Sequence, residues 1–486
     1  IDKCDILSER GSGNIRIEAH KHESRPVIII DSKLSPHIFS IIDKATSYKI
    51  KNAEHIDNRM WSCKKCGWWK LQSKATSDYC KRCGEKCAPA LWDCTIRLLS
   101  KMRNGQYYFP MGLLESVQEV LKPIGVELRV SGWPSAPHNS TLLDDLTWIG
   151  YDLRSHQDEA VVKALPRLWD GLGTILMMPT GSGKSLLAMY LINELRVKTL
   201  ILVHKKNLME QWQKGIKHTL SYATGIYGDG VKEIKPITIG MIQTIAKDKT
   251  FNINYFDFII VDEVHHLPAD QTYDIVMKSN AYYKLGLSAT PTREDGNEMK
   301  MFAAMGPIVK VATIKELIQS GVLAKPKIEY MNAPPGPGGN TYAMMYKNNI
   351  TMNTMRNQMI AQKAQSLEKK GLSVLITVNQ IRHGKTLEAM IAGSKFVHGQ
   401  TPKEERHKAM EEFENGDLRV MISTLLNEGS DIPCLDAILL ASGGKSESAQ
   451  IQKIGRALRT TDTKKHALII DVLDQGKWLR DHAQQR

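Results

Sequence analysis

Through the middle and final thirds of the chain, short uninterrupted apolar runs alternate with longer stretches of helical periodicity. The runs fall at 174–178, 199–203, 237–242, 258–261 and 284–287, then at 374–378, 420–423, 437–440 and 467–470. A strand wet on one face alternates apolar with polar residues, whereas one covered on both faces reads as continuously apolar. The pattern therefore predicts an α/β chain with two successive parallel sheets. Two segments interrupt it. The run 131–140 holds two prolines and little apolar content, which separates an N-terminal region from the rest of the chain. The run 333–340, APPGPGGN, cannot continue a helix or a central strand and reads as a loop or linker.

Composition narrows the class. The 486 residues are 42% apolar and 24% charged, which fits a folded protein and neither a disordered nor a fibrous one. At roughly 150 residues per domain the length suggests about three domains. No stretch approaches the roughly 18 apolar residues of a membrane helix. The first thirty residues lack the blocks of a signal peptide, so the expected compartment is the cytoplasm. Lys plus Arg is 65 against 52 Asp plus Glu, a net charge of +13. That surplus favours a polyanionic partner through counterion release, nucleic acid first.

In parallel sheets ligands bind beyond the carboxyl ends of the strands, so the residues just after each run carry the chemistry. Directly after the first run stands 179–185, PTGSGKS, followed by the helical run 186–192. Its glycines, Gly181 and Gly183, let the backbone around Thr180 and Ser182 curl so that amides and the helix N-terminus face phosphate oxygens. Lys184 adds a point charge and Ser185 a ligand for Mg2+. Met178 occupies the place where the generic pattern has glycine. The fourth run ends in Asp262-Glu-Val-His265, which sets two carboxylates at the same end of a sheet. Asp262 suits the magnesium shell, and Glu263 suits orienting or deprotonating the attacking water.

The ordered set 154–157 (RSHQ), 179–185, 206–212 (KNLMEQW), Gln243-Thr244, 262–265 (DEVH), 288–292 (SATPT), Thr424, 428–431 (EGSD) and 452–459 (QKIGRALR) resembles superfamily 2 helicases over about two thirds of the chain. The resemblance implies two tandem RecA-like domains and ATP hydrolysis. It makes Gln157, with Arg154, the adenine-reading element, beside which Tyr151 is placed to stack. It makes Ser288 and Thr290 the segment linking hydrolysis to strand movement. Gln452, Arg456 and Arg459 correspond to the motif that reaches the γ-phosphate from the second domain, and Gly429 and Asp431 to the one that senses the nucleotide. A planar guanidinium among the equatorial oxygens of a transferring phosphoryl group can contribute about 10³–10⁵ in rate. Lys206, Gln243, Thr244 and Thr424 correspond to the strand-binding groove, whose phosphate contacts position without reading sequence. His204 and Lys205 depart from the Pro-Thr often found before the lysine that matches Lys206.

Cysteine adds a further module. Six of the eight cysteines lie between Cys63 and Cys94, and Cys63-Lys-Lys-Cys66 and Cys80-Lys-Arg-Cys83 form two CxxC knuckles thirteen residues apart. Clustering of this kind in a cytoplasmic chain predicts a structural, four-thiolate Zn2+ site on Cys63, Cys66, Cys80 and Cys83. Cys87 is an alternative to Cys83. The same module carries Lys64, Lys65, Lys70, Lys74, Lys81, Arg82 and Lys86 against Asp78 and Glu85. Trp68 and Trp69 lie among these charges, positioned either to stack on bases or to form the module's own core. The segments 91–99 and 107–115 resemble the N-terminal recognition domain of XPB-like and phage UvsW-like helicases, and Arg293-Glu-Asp-Gly296 points the same way.

The expected fold is thus two tandem RecA-like parallel-sheet domains, at 141–310 and 311–486. A small α+β N-terminal domain with a zinc-ribbon-like insert occupies 1–140. The expected function is an ATP-dependent DNA helicase or translocase that remodels branched DNA in replication, recombination or repair. The expected ligands are ATP, Mg2+, Zn2+ and largely sequence-independent, branched or forked DNA. The rivals are an RNA helicase, the motor subunit of a larger DNA-processing complex, and a binding scaffold with a vestigial ATPase.

Overall fold

The apolar run at 199–203 is buried at every position and forms the strand Thr199–Val203 within an eight-stranded sheet. The sheet runs in the order Val231–Lys232, Gly225–Gly228, Ile237–Met241, Thr199–Val203, Phe258–Val261, Tyr283–Ser288, Thr174–Met177, Ile308–Lys310. From Gly225–Gly228 to Thr174–Met177 all neighbours are parallel. A second, wholly parallel sheet of six strands runs Lys325–Asn332, His466–Leu473, Ala437–Leu440, Val374–Thr377, Val420–Ser423, Lys395–Val397. Every predicted apolar run is a strand in one of these sheets, as continuous burial requires. The architecture is two α/β domains, each built on a parallel sheet.

The computed structural model describes residues 15–22, 25–49, 59–62, 69–71, 79, 86, 88–91, 95–133, 135–137, 143, 146–267, 270–290, 297–424, 435–443, 466–476 and 478–481. It divides into two compact units. One comprises Ile1–Met177, Ala188–Lys206 and Gly215–Val309; the other comprises Met178–Leu187, Asn207–Lys214 and Lys310–Arg486. No helix among the described residues is long and apolar enough to cross a membrane.

The first unit also holds a five-stranded sheet ordered Val126–Ser131, Ile15–Lys21, Val27–Ile30, Tyr107–Pro110, Ser100–Lys101. Its helices Pro36–Ala45 and Leu114–Leu121 bury Ile38, Ile42, Leu114, Val117 and Leu121. That core continues into the eight-stranded domain: Ala303 belongs to it, and Met299 and Phe302 of the helix Glu298–Met305 pack against it. Gly112 sits at this junction, where an added Cβ would lie 2.1 Å from the carbonyl oxygen of Phe302. Backbone therefore presses on backbone, and only glycine fits. Arg167 reinforces the contact with a two-pronged pair to Glu115, Nη1 to Oε1 at 2.9 Å and Nη2 to Oε2 at 2.6 Å. Three further strands, Trp69–Leu71, Arg59–Ser62 and Ala88–Leu91, pair antiparallel as a separate sheet.

The Pro-Gly run at 333–340 is a loop, but it is not a domain boundary. The strand Lys325–Asn332 before it and Val374–Thr377 after it lie in one sheet. Side chains of Asn348 and Asn349 hold the loop down, Asn349 Oδ1 accepting from Gly338 N–H at 2.9 Å and Asn348 Nδ2 donating to Gly338 O at 2.7 Å.

Candidate functional site

The strand Thr174–Met177 runs into a loop in which Gly181 and Gly183 take φ of +86° and +84°. Side chains with a Cβ are disfavoured there, so these two positions let the loop coil on itself before the helix Lys184–Leu195 begins. Lys184 Nζ donates back to the carbonyl oxygens of Met178 at 3.2 Å and Pro179 at 3.4 Å. A lysine held over the loop's own carbonyls has acceptors that phosphate oxygens can replace. Met178, where the generic pattern has glycine, is fully buried, so its side chain fills apolar interior and leaves the phosphate-facing backbone intact. Thr180 is half-buried, Ser182 buried, and Ser185 lies exposed on the first helical turn.

The strand Phe258–Val261 is buried throughout and delivers Asp262, itself buried, to its carboxyl end. Asp262 Oδ1 accepts the Glu263 N–H at 3.0 Å. Glu263 adopts φ +49° and ψ +55°, the left-handed region that a non-glycine residue occupies only when its surroundings impose it. Its carboxylate Oε2 lies 3.3 Å from His265 Nδ1. The same Nδ1 stands 3.1 Å from Ser288 Oγ, which accepts the Thr290 N–H at 3.1 Å. Phe258–Val261, Tyr283–Ser288 and Thr174–Met177 are consecutive, parallel strands. The segments at 262–265 and 288–290 therefore leave the sheet at the carboxyl ends of adjacent strands, where an α/β protein binds its ligand.

The strand-contact candidates leave neighbouring strands of that sheet. Lys206 opens the helix Lys206–Leu220 after Thr199–Val203 and pairs with Asp229. Gln243 and Thr244 lie in the helix Ile242–Lys247 after Ile237–Met241. Gln243 Nε2 donates to His204 O at 3.0 Å, and the His204 ring packs on His266 at 4.5 Å between centroids, which in turn meets His265 at 4.2 Å. The departure at His204 thus fills a three-imidazole contact that joins the strand segment to the acidic one. Sequence reasoning assigned no role to these histidines; the DEVH lettering was the available signal for His265.

Gln157 is buried, its Oε1 accepting the Arg154 N–H at 2.9 Å at the start of the helix Ser155–Trp169. Arg154 is exposed there, and Tyr151 is 69% exposed with its ring 6.3 Å from His218. In the second unit Thr424 follows Val420–Ser423 and its N–H donates to Val397 O at 3.3 Å. Gly429, Asp431, Gln452, Arg456 and Arg459 lie outside the described residues, as do Trp68 and the four cysteines Cys63, Cys66, Cys80 and Cys83. Trp69 begins the strand Trp69–Leu71. Among the described residues no group of three or more His, Cys, Asp or Glu is placed to hold a metal.

The loop fits the phosphates of a nucleoside triphosphate: two left-handed glycines coil it and a lysine lies over replaceable carbonyls. Comparison with known proteins agrees with this chemistry. Residues 150–293 match the family described as type III restriction enzyme, res subunit, and residues 355–461 match the helicase conserved C-terminal domain. A Rad25-named protein of Halobacterium salinarum is 28% identical over 69% of this chain and 56% of its own length. The DNA 3'-5' translocase XPB2 of Sulfurisphaera tokodaii is 27% identical over 67% of this chain and 82% of its own. The ATP-dependent DNA helicase uvsW of Enterobacteria phage T4 is 24% identical over 79% and 82% respectively. This chain thus spans little more than half the length of the Rad25 relative. Both helicase halves are thus matched in order along the two parallel-sheet domains, and the chain is similar to superfamily 2 helicases and, among them, to the XPB-like and UvsW-like proteins.

Proposed function

We propose that the chain is an ATP-driven DNA translocase that remodels forked or branched DNA. The observation that carries the reading is the contact of Glu263 with His265 and, through it, Ser288. It joins the residue suited to activating water to the segment expected to pass hydrolysis on to strand movement. In this reading Lys184 places its charge on the phosphates, and Ser185 and Asp262 hold Mg2+, which supplies charge neutralisation when bound. Glu263 orients the attacking water and takes its proton at the carboxylate, while His265 Nδ1 keeps that carboxylate turned inward. Arg456 and Arg459, with Gln452, supply the remaining positive charge from a second domain taken as 311–486, and Gly429 and Asp431 respond to the nucleotide. Arg154 and Gln157 select adenine. The strand runs along Lys206, Gln243, Thr244 and Thr424 through its phosphates, which accounts for little sequence preference.

The relatives named DNA translocase and DNA helicase support DNA as the polymer. The N-terminal domain is read as the recognition element, with zinc on Cys63, Cys66, Cys80 and Cys83. Antiparallel pairing of Arg59–Ser62 with Trp69–Leu71 and of Tyr79 with Lys86 brackets each CxxC pair, which supports the two-knuckle reading. The test is ATP turnover with and without forked DNA. Lys184→Ala and Glu263→Gln are expected to lose turnover by about 10²-fold or more, on the order of the charge stabilisation removed, while DNA binding persists. Wild-type turnover in either variant would falsify the assignment, and stimulation by RNA duplex but not by forked DNA would redirect it to RNA.

A further inference from the structure

Away from the nucleotide loop, the first unit has a cleft of about 460 Å³, within the roughly 300–1,000 Å³ typical of ligand pockets. One wall belongs to the N-terminal sheet and its neighbour strand and supplies Arg25, Arg97 and Tyr108; the other, the helix Asp270–Met277 and the residue after it, supplies Tyr273, Asp274 and Lys278. Donors crowd this space. Arg25 and Lys278 are exposed and have no ion pair among the described residues. Arg97 has its Nε 3.5 Å from Asp43 Oδ2. The lining thus carries three cationic side chains, Arg25, Arg97 and Lys278, and one carboxylate, Asp274.

The tyrosines add neutral donors. Neither the Tyr108 nor the Tyr273 hydroxyl has a hydrogen-bond partner among the described residues. Burial, with Asp274 and Tyr108 beside it, pushes the Tyr273 phenol up to about 12, so it keeps its proton at any working pH. The ammonium of Lys300 stands 5.7 Å over the Tyr273 ring. Cations and hydroxyl donors against few acceptors make a receptor for an anion, and aromatic faces beside the charges suit a phosphate that carries a ring.

We infer that this cleft holds one nucleotide unit of a single DNA strand, its phosphate between Arg25, Arg97 and Lys278 and its sugar and base against Tyr108 and Tyr273. The inference rests on the motor reading, since it supplies a second hold on the polymer, set between the N-terminal sheet and the ATPase domain.

The experiment is binding of fluorescein-labelled oligo-dT to the full chain by anisotropy across a salt series, beside DNA-stimulated ATP turnover. Inorganic phosphate and dTMP serve as competitors. The double variant Arg25→Ala/Lys278→Ala touches exposed side chains and is expected to melt as the wild type does. Its affinity should fall severalfold at low salt and converge with the wild type at high salt. The slope of log affinity on log salt should drop by about 1.4, two single-strand phosphate contacts at roughly 0.7 each. Tyr273→Phe should weaken binding while leaving that slope unchanged. An unaltered affinity and slope in the double variant, with stimulated turnover intact, overturns the cleft and spares the motor. Loss of phosphate or dTMP binding without loss of strand binding overturns the strand assignment. Wild-type chain that binds no DNA overturns both readings.

Discussion

Glu263 shows how a single residue can be held against its own preference. An L-residue in the left-handed region is strained by roughly 1–2 kcal/mol, and only Gly, Asn or Asp visit it readily. Here the strand on one side and the helical turn Val264–His266 on the other impose it, and the carboxylate arrives at His265 as a result. The strain and the chemistry can be separated by mutation. Glu263→Gly should be as inactive in ATP turnover as Glu263→Gln, yet more stable than Glu263→Gln by about 1 kcal/mol in urea or thermal unfolding. Equal stabilities would show that the backbone conformation carries no strain. The chemical identity of Lys184, Asp262 and Glu263 was readable in the letters because each follows a buried strand. The left-handed turn was not, because a glutamate letter carries no signal for that backbone state, and neither was the imidazole chain through His204, which arises where strands far apart in sequence end side by side.

At the scale of elements, continuous burial made the central strands easy to read and concealed the edges. Lys325–Asn332 is an edge strand with several positions exposed, and Lys395–Val397 is only three residues long; neither presents an uninterrupted apolar run. The parallel pairing of Ile15–Lys21 with Val126–Ser131 joins residues more than a hundred positions apart (126 − 15 = 111), which no local pattern records. Periodicity is equally silent on how the second sheet is tied to its helices. Arg356, fully buried in the helix Thr354–Glu368, donates Nε to Asp474 Oδ1 at 2.6 Å and Nη2 to Ala441 O at 3.0 Å. These contacts fasten the helix to the ends of two strands. Asp474→Ala leaves that guanidinium without its counter-ion in a dry interior and should cost about 3–5 kcal/mol of stability, read as a lower denaturant midpoint. A loss below about 1 kcal/mol would mean that water replaces the carboxylate.

For the whole molecule, the N-terminal sheet and the ATPase sheet of the first unit share one interior, and Lys284 shows what this sharing entails. Its side chain is buried with no hydrogen-bond partner for Nζ among the described residues, and Lys21 of the N-terminal sheet acts on it as a like charge. Burial first, and Lys21 second, lower its pKa from 10.5 to about 7. Below about pH 7 both folded and unfolded chains carry the proton, and the folded state bears the full penalty of a buried ammonium. Between about 7 and 10.5 the unfolded chain keeps a proton that the folded chain has shed, so stability rises with pH, and above 10.5 the penalty is gone. Lys284→Met should therefore stabilise the protein by on the order of 3–5 kcal/mol near pH ~6.5 and by progressively less towards pH ~10. A difference in melting temperature between variant and wild type that is the same at about pH 6.5 and about pH 9.5 would rule this out. The close approach at Gly112 has a further practical meaning. Cutting the chain down to its ATPase motifs would uncover Met299, Phe302 and Ala303, and the trimmed product would be sticky before it was inactive. Chimaeras between relatives will then succeed only when the front sheet and the first ATPase lobe are exchanged together, as a single heritable block.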